Sequence, residues 1–170
     1  GRQGGEVRRM TIALAVVALG LVLRLYGLGS ESLWLDEGLS VSTARLPDVY
    51  AVLKQVYAIS ANPPGHYVAL HYWIQLFGTS EFSVRLLSAV CSTVSIVLTF
   101  LIGRRLLGPR TALLAALLMA SSYYEVQFAQ EARTYALWAM LTLLSMYFFL
   151  RLLERGSIPL CAAYLLFSAL

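Results

Sequence analysis

Long apolar runs constrain the fold of this chain more than any other feature of its sequence. A helix needs roughly 20 residues to cross a hydrocarbon core about 30 Å thick. Four runs reach or approach that length, at 10–27, 82–102, 111–128 and 134–150, and a fifth at 158–170 is too short to cross. Because 59% of the residues are hydrophobic and only 13% are charged, the sequence predicts an all-α polytopic integral membrane protein.

Arginine placement predicts the orientation of these spans. Arginines precede the first run and follow the second and fourth, at Arg8, Arg9, Arg104, Arg105, Arg110, Arg151 and Arg155. Since positive residues concentrate in cytoplasmic loops, we expect a cytoplasmic N-terminus and extracytoplasmic loops at 30–80 and 129–133. The net charge of +4 is explained by this topology, and without a basic run the chain is not expected to bind nucleic acid.

The first outer loop, 30–80, is too apolar for a free loop and too polar to span. After Asp48 an apolar face repeats at Val49, Val52, Leu53 and Val56, which predicts an interfacial helix. Asn62 as a cap and Pro63 at the first helical position predict a second helix that ends at Gly78. We therefore expect interfacial helices to lie on the membrane here.

An acidic pair, Asp36 and Glu37, stands beside Trp34 just after the first run. A carboxylate at a membrane surface must be hydrated, paired or bound to a cation, so the pair is a candidate functional site. An alternative reading is that Asp36 caps a short helix that begins at Glu37.

Basic residues near the outer ends of the runs have alternative explanations. Arg24 is expected to snorkel to the interface or to pair with Asp36 or Glu37. Arg85 lies in the first helical turn, where a cation is electrostatically misplaced, so it either answers an anion such as a lipid phosphate or snorkels.

The second outer loop carries Glu131 and Arg133 on the same side as Asp36. We expect Arg133 to bind a phosphate or to orient Glu131. Carboxylate and guanidinium together suit a transfer in which a base takes the proton of an attacking hydroxyl while a cation stabilises a departing phosphate.

Several short motifs occur in order along nearly the whole chain. They are Arg24 in the first run, Leu33-Trp34-Leu35-Asp36-Glu37, Asn62-Pro63-Pro64, His71-Tyr72-Trp73, Leu76-Phe77-Gly78, Glu81-Phe82-Ser83-Val84-Arg85-Leu86 and Gln130-Glu131-Ala132-Arg133-Thr134-Tyr135. With these motifs the chain resembles the GT-C glycosyltransferases of the dolichyl-phosphate-mannose protein mannosyltransferase and aminoarabinose-transferase type.

The resemblance implies a GT-C-like transmembrane helix bundle with interfacial helices in its first outer loop. It also implies an inverting enzyme that moves a sugar, such as mannose or another hexose or pentose, from a polyprenyl-phosphate donor in the membrane lipid to a protein, lipid or glycan acceptor outside. The implied roles are the catalytic base for Asp36, its neighbour for Glu37, a second acidic residue for Glu131, and donor-phosphate contacts for Arg133, Arg85 and Arg24.

Two departures from the family pattern bear on these expectations. Some relatives use a divalent cation, but Ala61-Asn62 stands here where relatives often carry an acidic, histidine or lysine residue, which leaves Asp36, Glu37 and His66 as weak metal candidates. Family members also continue through further spans, so residues 1–170 are expected to be a single N-terminal transmembrane module.

Two other classes remain open at this point. In a transporter or channel module, Asp36, Glu37 and Glu131 would form an ion or proton site, although none of the runs carries an acidic residue at its centre, where transport sites usually lie. In a non-catalytic membrane scaffold, the acidic residues would only cap helices. Sugar transfer from a lipid-phosphate donor separates the enzyme from both.

Overall fold

The computed structural model describes residues 2–59 and 62–169, and this part of the chain is helical without strands. Its helices are α1 (Arg2–Leu25), α2 (Leu35–Ala44), α3 (Val49–Ile59), α4 (Gly65–Phe77), α5 (Glu81–Leu106), α6 (Pro109–Ser121), α7 (Tyr123–Ala129), α8 (Thr134–Glu154) and α9 (Ile158–Ala169). The predicted all-α class is confirmed. Gly1, Ala61 and Leu170, which entered the sequence predictions, lie outside the described residues.

Two helices, α5 and α8, are long and apolar enough to cross a membrane, and α6 with α7 forms a third span if the bent pair is counted as one. Helix α1 covers most of the first predicted run. Every stretch of 18 residues within it includes at least three charged residues, so its crossing stays a prediction.

The third predicted run, 111–128, is broken instead of continuous. Helix α6 ends at Ser121, Ser122 takes an extended conformation (φ −63°, ψ 126°), and α7 departs at 58°. A break of this kind leaves the last carbonyls of α6 without helical N–H partners. Within a membrane, such carbonyls need another donor.

Arg24 supplies that donor. Its Nη1 donates to the carbonyl of Ala120 at 3.1 Å and its Nη2 to that of Met119 at 3.3 Å, while Nε donates to Ser92 Oγ at 2.9 Å. The side chain is fully buried. Both expectations for Arg24 are therefore wrong, since it neither snorkels nor pairs with the acidic motif. The cause is tertiary: α5 and α6 pack around the last turn of α1.

The helices of the first outer loop follow the sequence signals closely. The Ala51 N–H donates to Asp48 Oδ1 at 2.7 Å at the start of α3, and Val52 and Val56 are buried as the apolar face predicts. Helix α4 begins two residues later than expected, at Gly65, and ends before Gly78, whose φ of +80° suits glycine.

Two apolar clusters fix the bundle, and α5 contributes to both. The outer cluster joins α2 and α4 to α5 and the start of α8, through Val41, Ala44, Leu70, Ile74, Val84, Leu87, Cys91, Ala132 and Ala136. The other joins α1, α5 and α6, through Ala13, Val16, Ile96, Phe100, Ala112, Ala116 and Ala120. The outer loops are thereby seated on the N-terminal half of α5.

The arginine-rich ends of three helices meet at the opposite end of the bundle. Arg104 of α5 lies 3.9 Å from Glu6 of α1, and Arg105 pairs with Glu154 of α8. The positive clusters that guided the topology therefore share one end of the molecule, away from the acidic pair.

Candidate active site

Glu37 and Arg85 form a buried ion pair between the first outer loop and α5. Arg85 Nε donates to Glu37 Oε1 at 2.9 Å and Nη2 donates to Oε2 at 2.7 Å, the paired geometry typical of arginine with carboxylate. The Glu37 side chain is fully buried. Burial raises the pKa of Glu37, but the hydrogen bonds from Arg85 and neighbouring amides outweigh it and hold the pKa below its usual value.

The remaining donors of Arg85 go to backbone carbonyls of the segment that connects α1 to α2. Nη1 donates to the carbonyls of Leu28 (3.2 Å) and Glu31 (2.8 Å), and Nη2 also donates to that of Ser32 (3.2 Å). An arginine side chain has five N–H donors, and all five meet protein acceptors. Arg85 therefore offers no further donor to a phosphate in this arrangement.

Glu37, and not Asp36, makes the side-chain contact at the start of α2, where Trp34 is the N-cap. Helix α2 begins at Leu35, so Glu37 occupies its third position and accepts a weak hydrogen bond from the Trp34 N–H at 3.4 Å. The reading of Asp36 as the cap is wrong because the helix begins two residues earlier than it assumed. This leaves the Asp36 carboxylate available for other contacts.

Glu37 also joins the two outer loops. The Ala132 N–H donates to Glu37 Oε1 at 2.8 Å, across 95 positions of sequence. Glu37 is therefore shared by α2, α5 and the second loop. One carboxylate thus sets the position of the loop that carries Glu131 and Arg133.

Asp36 and Arg133 face each other across the two loops. Arg133 Nη1 lies 3.0 Å from Asp36 Oδ2, and both side chains are partly exposed, at 22% for Arg133 and 40% for Asp36. The guanidinium also lies over two aromatic rings, 5.3 Å from the Trp34 centroid and 4.9 Å from that of Tyr135. Such rings favour a cation over their faces and hold Arg133 toward Asp36.

A cleft of about 190 Å³ contains this pair. Polar and apolar side chains line it together: Asp36, Leu39, Ser40, Thr43, Val56, Ile59, Asn62, Tyr67, Arg133 and Thr134. The cleft therefore places one carboxylate, one guanidinium and several hydroxyl groups around a single open space. A small polar ligand there can meet a base and a cation at once.

Glu131 faces a different space. It lines a second cleft of about 470 Å³ together with Trp34, Glu37 and Arg85. Burial raises the pKa of Glu131, although the charge of Arg133 opposes the shift. The ion pair of Arg133 is with Asp36, whereas the sequence suggested Glu131 as its partner.

His66 is buried in α4, and neither ring nitrogen has a well-formed hydrogen bond. Burial, assisted by the charge of Arg133 and opposed by the nearby Ala132 backbone, lowers its pKa to about 4, so the imidazole is neutral at neutral pH. Among residues 2–59 and 62–169, no three His, Cys, Asp or Glu side chains are grouped to hold a metal ion. Asp36, Glu37 and His66 therefore do not form such a group in this part of the chain.

Two contributions were missing from the sequence expectations. Trp34 and Tyr135 flank the arginine, and each lies two residues from a predicted site residue. Gln130 makes long-range contacts that no local pattern signals. Aromatic residues beside a charged motif are a usable signal for cation contacts, whereas the Gln130 contacts required the fold.

The fold and this cleft define an integral membrane protein in which a carboxylate and a guanidinium face each other between two outer loops. Residues 61–169 match the family described as dolichyl-phosphate-mannose-protein mannosyltransferase. The chain belongs to this family. The matched residues include Arg85, Glu131 and Arg133, whereas Asp36 and Glu37 precede them.

Individual relatives agree with the family assignment. The chain is 31% identical over 129 residues to undecaprenyl phosphate-alpha-4-amino-4-deoxy-L-arabinose arabinosyl transferases of Pseudomonas aeruginosa and Pseudomonas paraeruginosa, which covers 67% of this chain and 22% of those proteins. It is 29% identical over 144 residues to an uncharacterized protein of Aquifex aeolicus, covering 79% of this chain and 28% of that protein. No solved structure matches the chain.

Proposed function

We propose that this chain supplies the catalytic base and a donor-phosphate contact of a membrane glycosyltransferase that moves a sugar from a polyprenyl-phosphate donor to an extracytoplasmic acceptor. The observation that carries the proposal is the contact of 3.0 Å between Asp36 and Arg133 inside one cleft. Family membership and the names of the Pseudomonas relatives support this reaction class over a transporter or a scaffold.

The proposed reaction is a single displacement at the anomeric carbon of the donor sugar. Asp36 takes the proton of an acceptor hydroxyl as that oxygen bonds to the anomeric carbon. The bond from this carbon to the phosphate oxygen breaks, and its electron pair leaves with the polyprenyl phosphate. Attack from the face opposite the leaving group inverts the configuration of the sugar.

Arg133 is proposed to serve the leaving group. Its Nη1 contact with Asp36 uses one edge of a planar group that has five donors, so a phosphate can bind the guanidinium beside the carboxylate. A fixed cation aimed at developing negative charge stabilises the transition state without reorganisation. When the phosphate competes for Arg133, the Asp36 carboxylate becomes available to the acceptor hydroxyl.

The other residues are proposed to support this pair. Arg85 and Glu37 hold the loops, since their hydrogen bonds go to each other and to backbone groups. Arg24 is occupied at the end of α6. Glu131 is proposed as a second acidic residue that faces the neighbouring cleft, where it contacts one of the two substrates.

The orientation is part of the proposal. The arginine-rich helix ends meet at one end of the bundle, and the positive-inside rule makes that end cytoplasmic. Asp36 and Arg133 would then face the extracytoplasmic side, where a lipid-linked donor is the practical source of an activated sugar.

Purified full-length protein in liposomes tests the reaction class. With polyprenyl-phosphate sugars as donors, the wild type should release polyprenyl phosphate and glycosylate an acceptor, whereas Asp36→Asn should not. A nucleotide sugar should not replace the lipid donor. Wild-type protein that transfers no sugar from any lipid-phosphate donor would refute the proposal.

A further inference from the structure

Gln130 connects the second outer loop to the end of α1. Its side-chain Nε2 shares two hydrogens among the backbone carbonyls of Leu23 at 3.2 Å, Arg24 at 3.3 Å and Tyr26 at 2.8 Å. These carbonyls belong to the last turn of α1 and the residue after it, where the helix offers no further N–H partners. One amide group therefore caps α1 from more than 100 positions away.

The last turn of α1 is linked to two other segments. The last turn of α1 receives the Gln130 amide on its carbonyls, and it sends the Arg24 side chain to the carbonyls of Met119 and Ala120 at the end of α6. The backbone carbonyls at the ends of α1 and α6 thus accept hydrogen bonds from side chains of neighbouring segments. This arrangement fixes α1, α6 and the second loop against one another.

The loop has a second anchor two residues later. The Ala132 N–H donates to Glu37 at 2.8 Å, and the Arg133 N–H closes a tight turn onto the Glu131 carbonyl at 2.8 Å. Gln130 and Ala132 therefore attach the loop to α1 and α2 on either side of Glu131. The backbone of Arg133 begins directly after these two anchors.

From these contacts we infer that Gln130 is a positioning residue, which holds Arg133 at the place where its guanidinium meets Asp36 and the donor phosphate. This inference rests on the proposed function. Gln130 itself touches neither substrate. Its effect on the reaction passes through the backbone of the loop to Arg133.

The isosteric change Gln130→Glu replaces the hydrogen-bond donor that faces the α1 carbonyls with an acceptor. A carboxylate of the same size has no donor and would face three carbonyl oxygens at the negative end of α1, where negative charge is unfavourable. The loop should then move away from α1. Because a misplacement of about 1 Å can cost about 10²-fold in rate, we expect a loss of that order in kcat/KM for the donor.

The test compares Gln130→Glu with Gln55→Glu, the same change at an exposed position of α3, in the full-length enzyme. Gln130→Glu should lower kcat/KM for the polyprenyl-phosphate donor while KM for the acceptor stays the same, and Gln55→Glu should change neither. If the Gln130→Glu variant fails to fold, Gln130→Met removes the donors without adding charge and should give a smaller loss of the same kind.

A double-mutant cycle separates positioning from general stability. In an Arg133→Gln background the phosphate contact is already lost, so Gln130→Met should cause no further fall in donor kcat/KM, although it should still lower the melting temperature. Equal losses with and without Arg133, or lower stability with unchanged donor kinetics, would overturn the positioning role. Wild-type protein without transferase activity would instead refute the proposed function. The melting temperatures would still show whether Gln130 stabilises the end of α1.

Discussion

The carboxylate of Glu37 is held by the guanidinium of Arg85, 48 positions later in the chain, through two hydrogen bonds of 2.9 and 2.7 Å. The same carboxylate accepts the N–H of Ala132. The two adjacent acidic residues therefore have different surroundings: Glu37 binds the two outer loops together, and Asp36 faces the cleft.

Removing this buried pair should destabilise the protein strongly. Glu37→Gln leaves the Arg85 charge buried without its partner, and breaking such a pair typically costs about 3–5 kcal/mol. Thermal unfolding in detergent measures the loss. Glu31→Gln, at an exposed carboxylate of the same loop, is the matched control and should unfold near the wild-type temperature.

The difference in stability between the wild type and Glu37→Gln should depend on pH, because the pKa of Glu37 is lowered in the folded protein. An ordinary glutamate in the unfolded chain titrates near pH 4.3, above the value in the folded protein. The stabilisation is then complete above about pH 4.3 and is lost as the pH falls through the folded-state pKa. The gap in melting temperature between wild type and Glu37→Gln should narrow in that acidic range; a gap that widened there would contradict the assigned pairing.

Arg24 should behave as a structural residue. Arg24→Met keeps much of the apolar stem but leaves the Ala120 and Met119 carbonyls and Ser92 without their donor, and each buried polar group left unpaired costs about 1–3 kcal/mol. We expect a lower melting temperature with unchanged KM for the donor in the protein that folds. A raised KM for the polyprenyl-phosphate donor with an unchanged melting temperature would instead indicate that Arg24 binds the donor phosphate.

Much of the helical framework was predictable because its signals are local. The apolar face of α3, the Asp48 cap and the glycine that ends α4 act within one or two turns. The break at Ser122 was missed, since the run is clearly apolar only to Ala120 and was extended to about Phe128 to reach the length of a span. The compensating donor comes from Arg24, almost 100 positions earlier.

The sequence predicted which residues belong to the candidate site better than it predicted which of them contact each other. Asp36, Glu131 and Arg133 were expected on one face, and the structure brings them to neighbouring clefts. The partners of Glu37 and Arg85 were not foreseen, because a charge at the start of a helix looks misplaced until the chain that folds over it is known. Local sequence patterns show which charged side chains require a hydrogen-bond partner, but the partner itself is determined by tertiary packing.

The topology can be tested by labelling single cysteines. After Cys91 and Cys161 are replaced, a cysteine at Ser32, which is exposed in the first outer loop, should react with an impermeant reagent in intact cells. A cysteine at Gly156, near the arginine-rich end, should react only after permeabilisation. The reverse pattern would place Asp36 and Arg133 in the cytoplasm and remove the proposed external site.

Arg133→Lys distinguishes a phosphate clamp from a simple ion pair. Lysine keeps the charge facing Asp36 but loses the planar fork that binds phosphate through two donors. We expect KM for the polyprenyl-phosphate donor to rise about tenfold, the equivalent of about 1.4 kcal/mol, with little change in melting temperature. Donor kinetics like those of the wild type together with a lower melting temperature would assign Arg133 to structure alone.

The base assignment is the central claim, and Asp36→Asn measures it most directly. Asparagine keeps the size of the side chain and removes its ability to take a proton, so turnover in the full-length enzyme should fall about 10²- to 10⁴-fold while the melting temperature stays near that of the wild type. Asp48→Asn, the same change at an exposed helix cap, should retain wild-type turnover because asparagine also caps helices. Near-normal turnover of Asp36→Asn would contradict the account.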